Sequence, residues 1–271
     1  MNLLLTAAGA GSRFRQEGIS TPKPLIRVQG KELLLHALAS FELTHGDRLL
    51  LGVQRQHRVR EQLGQVLAQE LPDVSVDWVE LEELLPGQLA TAAACVSRAW
   101  GDNDQALGSP LLIHNCDTGF AWPGESGRSL LPGEAYGSMA VFPAAGEHWS
   151  FGRPDPADPR RALEIREKRR ISPLASIGLY GFRHGGEFLA DARRWLRDTQ
   201  PLRGEHYVAP LLQGALERGE TVLLPRVEGV RLFGTPQELC STFGIDLAEL
   251  RQQNAPTPAG EADHGVEEDH G

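Results

Sequence analysis

A chain of 271 residues, 41% hydrophobic and 23% charged, has room for one large domain or two small ones around a substantial core. Its formal net charge of −9 argues against bulk affinity for nucleic acid, and no apolar run approaches the ~20 residues of a membrane span. The three cysteines, Cys95, Cys116 and Cys240, are far apart and form no C-x-x-C pair, which suggests a reducing cytosol without disulfides or a zinc site.

Met1-Asn2-Leu3 lacks a basic leader region and runs at once into Gly9, so residues 3–8 read as a buried strand rather than a secretory signal. A turn at Gly30 precedes helical spacing over 32–43, a strand over 49–53 and an amphipathic helix over 56–71. A strand over 74–79, a break at Pro86-Gly87, a helix over 88–100, a polar loop over 102–108 and a strand over 110–114 complete the first half. Alternation of apolar strands with helices predicts a Rossmann-like α/β domain: a mainly parallel sheet flanked by helices.

The second half predicts a β-rich extension. Strands are expected over 138–142, 162–166, 176–182, 221–224 and 229–233, with a proline-rich loop over 151–159. Helices are expected over 186–197 and 207–218, with one closing helix over 236–254. The expected organisation is a single domain over 1–254, split into a nucleotide-binding half (1–137) and an acceptor-binding half (138–254). Residues 255–271 form an acidic tail with the composition of a disordered segment, where His264 and His270 read as solvated rather than as metal ligands.

The apolar run Leu3-Leu4-Leu5 empties into Gly9, Gly11, Ser12 and Arg13, and ten residues later Lys23 stands between Pro22 and Pro24. Backbone N–H groups of such a glycine loop can cradle phosphate oxygens, and the two cations can neutralise a polyphosphate. A Walker loop is absent, since Gly30-Lys31 lacks the upstream glycine and is followed by Glu32. A dinucleotide loop is absent too: Phe14 fills the third glycine position and residues 49–53 end without an acid. Asp117 ends a strand, where open α/β sheets place ligands. Strand alternation turns His114 and Cys116 away from it, against a transition-metal centre.

The segment AAGAGSRF…TPKPLIRVQGKELL resembles the signature of sugar-nucleotide pyrophosphorylases, which join an NTP to a sugar 1-phosphate. Weaker blocks follow in family order over residues 1 to about 245: PLLIHNCDT, Glu167-Lys168, IGLYGF, RGEHYVAP and Gly234-Thr235-Pro236. Trp149-Ser150-Phe151, IREK and GEHYVAPL are most similar to the branch found with capsule and surface-polysaccharide genes. The resemblance implies a Mg2+-dependent nucleotidyltransferase of the cytoplasm, whose partners are an NTP and a phosphorylated small molecule, with no nucleic acid or membrane involved. A homo-oligomer is compatible with it.

By resemblance, Arg13 would stabilise the departing phosphates, Lys23 would hold the α-phosphate, and Asp117 would ligate the metal. Ala8, Gly9, Gly11, Ser12, Gly87, Gln88 and Asn115 would hold the nucleotide. Glu167, Lys168, Gly178 and Glu205 would hold the acceptor, with Lys168 on its phosphate, Glu167 on a sugar hydroxyl, and Gly178 making room for the ring. The run Arg160, Arg161, Arg166, Lys168, Arg169 and Arg170 reads either as a charged strand edge or as a wall for an anionic substrate.

Two departures from the family pattern stand out. A second metal-binding Asp is common before the Gly-Thr, where this chain has Arg231-Leu232-Phe233. Asp117 then holds the metal with phosphates alone, or a residue such as Glu228 moves in, or catalysis is impaired. Tyr207 and Pro210 stand where many members carry acids. These departures leave two alternatives open: a cytidylyltransferase for a non-sugar phosphorylated metabolite, and a catalytically silent nucleotide-binding regulatory subunit.

Overall fold

The computed structural model describes residues 1–122 and 130–255, so all but the first residue of the expected acidic tail lies outside the described residues. In the first half, β1 (Asn2–Ala7), α1 (Ser12–Gln16), the two-stranded ribbon β2 (Arg27–Val28) and β3 (Lys31–Glu32), and α2 (Leu33–Leu38) lead to β4 (Arg48–Gln54). Then come α3 (Val59–Glu70), β5 (Ser75–Leu81), α4 (Gln88–Trp100), α5 (Asp104–Leu107), β6 (Leu111–Asn115) and β7 (Thr118–Ala121). The second half runs β8 (Gly137–Pro143), β9 (Ser150–Pro154), β10 (Ala162–Glu167), β11 (Leu174–Phe182), α6 (Gly185–Asp198) and α7 (Val208–Glu217). It ends with β12 (Val222–Leu223), β13 (Glu228–Leu232), α8 (Pro236–Phe243) and α9 (Leu247–Gln253).

The sheet has a parallel centre, β6-β1-β4-β5, continued by antiparallel β11, β8, β9 and β10, with β12 parallel to β8. Alternation along β1 sends Leu4 to the core beneath α4, α6 and α7, and Leu3 and Leu5 to the core beneath α2 and α3. Burial on both faces explains the unbroken apolar runs of β1, β4 and β6. Fully buried side chains such as Phe182, Phe188 and Trp100 contribute about 2–3 kcal/mol each by leaving water. Trp100 also donates its indole N–H to Asp77 (2.9 Å).

A third, smaller core fixes the glycine loop. Phe14, Ile19, Ile26, Val28 and Leu33 pack with Phe233, Leu239 and Leu250 from the C-terminal elements. The Asn254 amide accepts from Arg27 N (2.8 Å) and donates to Arg27 O (2.9 Å), tying the end of α9 to the segment that carries Lys23.

Several elements differ from expectation. The proline-rich stretch 151–159 is not all loop: β9 pairs with β10, because Phe151 is fully buried and Pro154 falls only at the strand's end. The expected helix over 236–254 is two helices, broken where Gly244 takes φ 67°. The helix over 32–43 stops at Leu38, and the Ser40 hydroxyl instead accepts from Phe120 N of β7 (2.9 Å). The polar loop 102–108 contains α5, one turn capped by the Asn103 side chain on Ala106 N (3.0 Å). No helix among the described residues is long and apolar enough to cross a membrane.

Candidate active site

At the C-terminal ends of β1 and β6 lies a cleft with two lobes, about 750 and 700 Å3 in volume. Gln88, Asp117, Arg203 and Tyr207 line both, so the lobes are continuous. The first is walled by Ala8, Gly9, Gly87 and Glu205, the second by Trp149, Ser150, Glu167, Lys168 and Gly178.

Lys23 sits in a single 3-10 turn, Lys23–Leu25, entered from Pro22 and fixed by Pro24. Its ammonium reaches across to Asp117 Oδ2 (2.5 Å) and Gly234 O (3.2 Å) and lies 5.9 Å from the centroid of the Phe14 ring. Burial alone would push the Asp117 carboxyl up. The Lys23 charge and hydrogen bond outweigh it and hold the group below the usual carboxylate range. Arg13 is exposed and lines the second lobe, with no hydrogen bond or ion pair among the described residues. Gly11, the residue before α1, takes φ 63°, and Lys23 Cβ would lie 3.6 Å from a side chain there. Ser12 is exposed and lines neither lobe.

Gly178 explains why the second lobe exists. At φ 80° it forms a bulge in β11, whose pairing with β8 shifts register between Ser176 and Tyr180. Before the bulge Ala175 pairs with Phe151 of β9; beyond it Leu179–Phe182 pairs with β6. The sheet splays at this change of partner. A side chain on Gly178 would meet Asn115 Nδ2 at 2.2 Å, so its missing Cβ makes room for Asn115, where a ligand ring was expected. Both residues line the lobe, and Asn115 Oδ1 is a buried oxygen without a hydrogen-bond partner among the described residues.

Glu167 faces Ser150 across the β9–β10 ladder and accepts a hydrogen bond from its hydroxyl; the Ser150 hydroxyl also lies 3.5 Å from Tyr180 Oη. Only 5% of the Glu167 side chain is exposed. Burial pushes its carboxyl up, while Ser150 and Lys168 oppose the shift without reversing it. Above that raised pKa the folded protein carries the burial cost of the charge, and below it the cost disappears. Glu167→Gln is therefore expected to raise Tm at pH 8, with the gain shrinking toward pH 4, while acceptor use falls. Thermal melts of both proteins across that range check the sign.

The basic run divides. Arg160 pairs with Asp158, Arg161 donates to Thr221, Arg166 pairs with Glu164, and Arg170 donates to backbone carbonyls. Lys168 alone of the six lines the cleft, so the run is mostly a charged strand edge. Glu205, expected on the acceptor side, lines the first lobe instead, because the hairpin that carries it folds over Pro86–Leu89. Ser150, Ser176 and Tyr180 line the second lobe and were not singled out from the sequence. The two-residue spacing of Ser176 and Tyr180 about Gly178 was a signal along β11, whereas Ser150 left none.

His114 is fully buried between Thr118 O (2.9 Å) and Gly178 O (3.4 Å), and burial lowers its pKa, so it is a neutral core residue. Cys116 is buried and its thiol is pushed up to about 12, which leaves it inert. Among the described residues no cluster of three His, Cys, Asp or Glu could hold a metal ion. Phe233, whose backbone N–H donates to Asp117 O (3.1 Å), packs into the third core, so no carboxylate joins Asp117 from that strand. Glu228 pairs with Ala121, at the opposite end of the β7–β13 ladder from Asp117.

No protein-family model matches the chain. A low-salt glycan biosynthesis nucleotidyltransferase of Haloferax volcanii is 28% identical over 267 residues, 97% of this chain and 70% of that protein. A nucleoside-diphosphate-sugar pyrophosphorylase of Vibrio cholerae superposes with a TM-score of 0.77 at 24% identity, covering 90% of this chain and all of that one. An inositol-1-phosphate CTP transferase of T. maritima superposes at 0.63 with 17% identity, covering 93% and 96%. The chain is similar to these nucleotidyltransferases and pyrophosphorylases, and its mainly parallel sheet flanked by helices is the fold of the structural neighbours.

Proposed function

We propose that the chain transfers a nucleotidyl group from an NTP to a sugar 1-phosphate, releasing pyrophosphate and supplying nucleotide sugars for surface polysaccharide in the cytosol. The observation that carries this reading is the continuous two-lobed cleft, with Asp117 and its partner Lys23 at the junction and Lys168 in the second lobe. The glycan-biosynthesis relative supports the same direction.

A phosphate oxygen of the acceptor attacks the α-phosphorus. The new P–O bond forms as the bond to the β-phosphate oxygen breaks, and pyrophosphate leaves with that electron pair. The nucleophile is already an anion, so no general base is needed, and the protein contributes position and charge. The Gly9–Gly11 loop and Gln88 hold the nucleotide, Lys23 turns from Asp117 toward the α-phosphate, and Arg13 meets phosphate charge at the rim. Lys168 holds the acceptor phosphate, while Glu167 and Ser150 accept or donate to its hydroxyls.

Asp117 suits a magnesium ion that arrives with the nucleotide, since Mg2+ commonly takes one or two carboxylates and fills its other positions with phosphates and waters. Bound there, Mg2+ would polarise the α-phosphate and offset the charge of the leaving group. A second reading, a silent nucleotide-binding subunit, is favoured by Phe233 standing where a further carboxylate is common in the resembling family. Purified protein with Mg2+, each NTP, inorganic pyrophosphatase and a panel of sugar 1-phosphates and other phosphorylated metabolites separates the two. Phosphate release with one NTP–acceptor pair is expected. NTP binding without turnover across the whole panel favours the silent subunit and overturns transfer.

A further inference from the structure

The sequence holds only three lysines, Lys23, Lys31 and Lys168, among 27 basic side chains. Two of the three serve the cleft: Lys23 pairs with Asp117, which lines both lobes, and Lys168 lines the second. Lys168 is held with unusual care. Its backbone takes φ 51°, a left-handed conformation unfavourable for a residue with a Cβ, and its N–H donates to Trp149 O (2.9 Å). Its ammonium donates to Tyr207 Oη (2.9 Å) and lies 4.2 Å from the centroid of the same ring. The Glu167 carboxylate, through Oε1, is 3.7 Å away, too far for a full hydrogen bond.

Tyr207 is itself fixed from behind. Leu202 and Glu205 exchange backbone hydrogen bonds (3.0 and 3.1 Å) around Arg203 and Gly204, which take φ 53° and 83°, the signs of a type I′ turn. His206 N then donates to Pro86 O (2.8 Å), and Leu89 N donates to His206 O (3.0 Å). Gly87 lies so close to His206 that a Cβ there would come within 2.6 Å of its carbonyl oxygen. The hydroxyl of Tyr207 thus stands on a backbone secured at both sides.

We infer that Tyr207 is the positioning residue of Lys168: its hydroxyl and ring hold the ammonium away from Glu167, leaving a donor free for the phosphate of the acceptor. An ammonium has three N–H donors. One goes to Tyr207. Without that hydroxyl the ammonium relaxes onto the buried Glu167 carboxylate, and the lobe loses one of its open cations, while Arg13 stays. This deepens the transfer reading and takes its acceptor side from it, but the device itself is a phosphate site and is testable without turnover.

With only three lysines, protein labelled with 13C at lysine Cε gives three resonances, and Lys168→Met assigns one. Titration with inorganic phosphate is expected to shift the Lys168 resonance. In Tyr207→Phe, which keeps the ring, phosphate affinity at that resonance falls about tenfold, the effect of one lost hydrogen bond. NTP affinity by calorimetry stays within twofold. In active protein, the same variant raises the acceptor KM about tenfold and leaves the NTP KM within twofold. In the Lys168→Met background, Tyr207→Phe changes acceptor kcat/KM less than twofold. Unchanged phosphate affinity in Tyr207→Phe, no phosphate response at Lys168, or equal losses for NTP and phosphate each overturn the inference. A phosphate response that depends on Tyr207 in a protein without turnover upholds it and discards the transfer reading instead.

Discussion

Lys23→Met is expected to lower kcat by about 10²–10³, the loss typical when one preorganised charge-stabilising donor is removed from a reaction centre. The side chain is only 15% exposed, and Pro22 and Pro24 fix the turn from which it reaches Asp117. No neighbouring lysine can replace it, since Lys31 lies in the β2–β3 ribbon and Lys168 in the other lobe. The change also leaves the Asp117 carboxylate without its cation, although 26% exposure lets water soften the penalty to about 1–3 kcal/mol. The depressed Asp117 carboxyl means that the pair's stability is fully present above the unfolded value near ~4 and is lost as pH falls through the lower folded value. The Tm gap between wild type and variant is therefore widest at neutral pH and closes in acid. Turnover at the wild-type rate would remove Lys23 from the chemistry.

Gly178→Ala is expected to lower Tm by roughly 10 °C, the consequence of ~3–5 kcal/mol in a domain of this size. A left-handed φ of 80° costs a residue with a Cβ about 1–2 kcal/mol, and the methyl would collide with Asn115 Nδ2 at 2.2 Å. Relief requires β6 and β11 to part at the floor of the second lobe, so activity falls with stability. The double variant Gly178→Ala, Asn115→Ala removes the collision and keeps the backbone strain, and is expected to regain part of the Tm. Equal melting of the single and double variants would show that Asn115 is not what the glycine accommodates.

The first half of the chain was legible because its signals are local. Apolar strands, the glycine loop, the Pro-Lys-Pro turn and the helix starting at Gln88 all announce themselves within a few residues. The second half was less legible because the second lobe is made by pairing across distance. Ser150 belongs to the site because it faces Glu167, 17 residues on, and Gly178 because a register shift places it over Asn115. Neither relation leaves a periodic trace. Resemblance placed Glu205 on the acceptor side, and composition could not show that the turn at Arg203-Gly204 directs it to the other lobe, since that is a matter of backbone sign.

One sheet runs beneath both lobes: Thr6 of β1 lines the first, and its ladder partner Asn115 of β6 lines the second together with Ser176, Gly178 and Tyr180 of β11. Two substrates seated on a shared floor cannot be brought together by swinging one half of the protein against the other. In the proposed transfer, the last ångströms of approach between the two phosphates would fall to side chains and loops, such as Lys23 leaving Asp117 and the hairpin over residues 202–205. Such an enzyme would keep its outline through turnover, with its moving parts as small as the groups it joins.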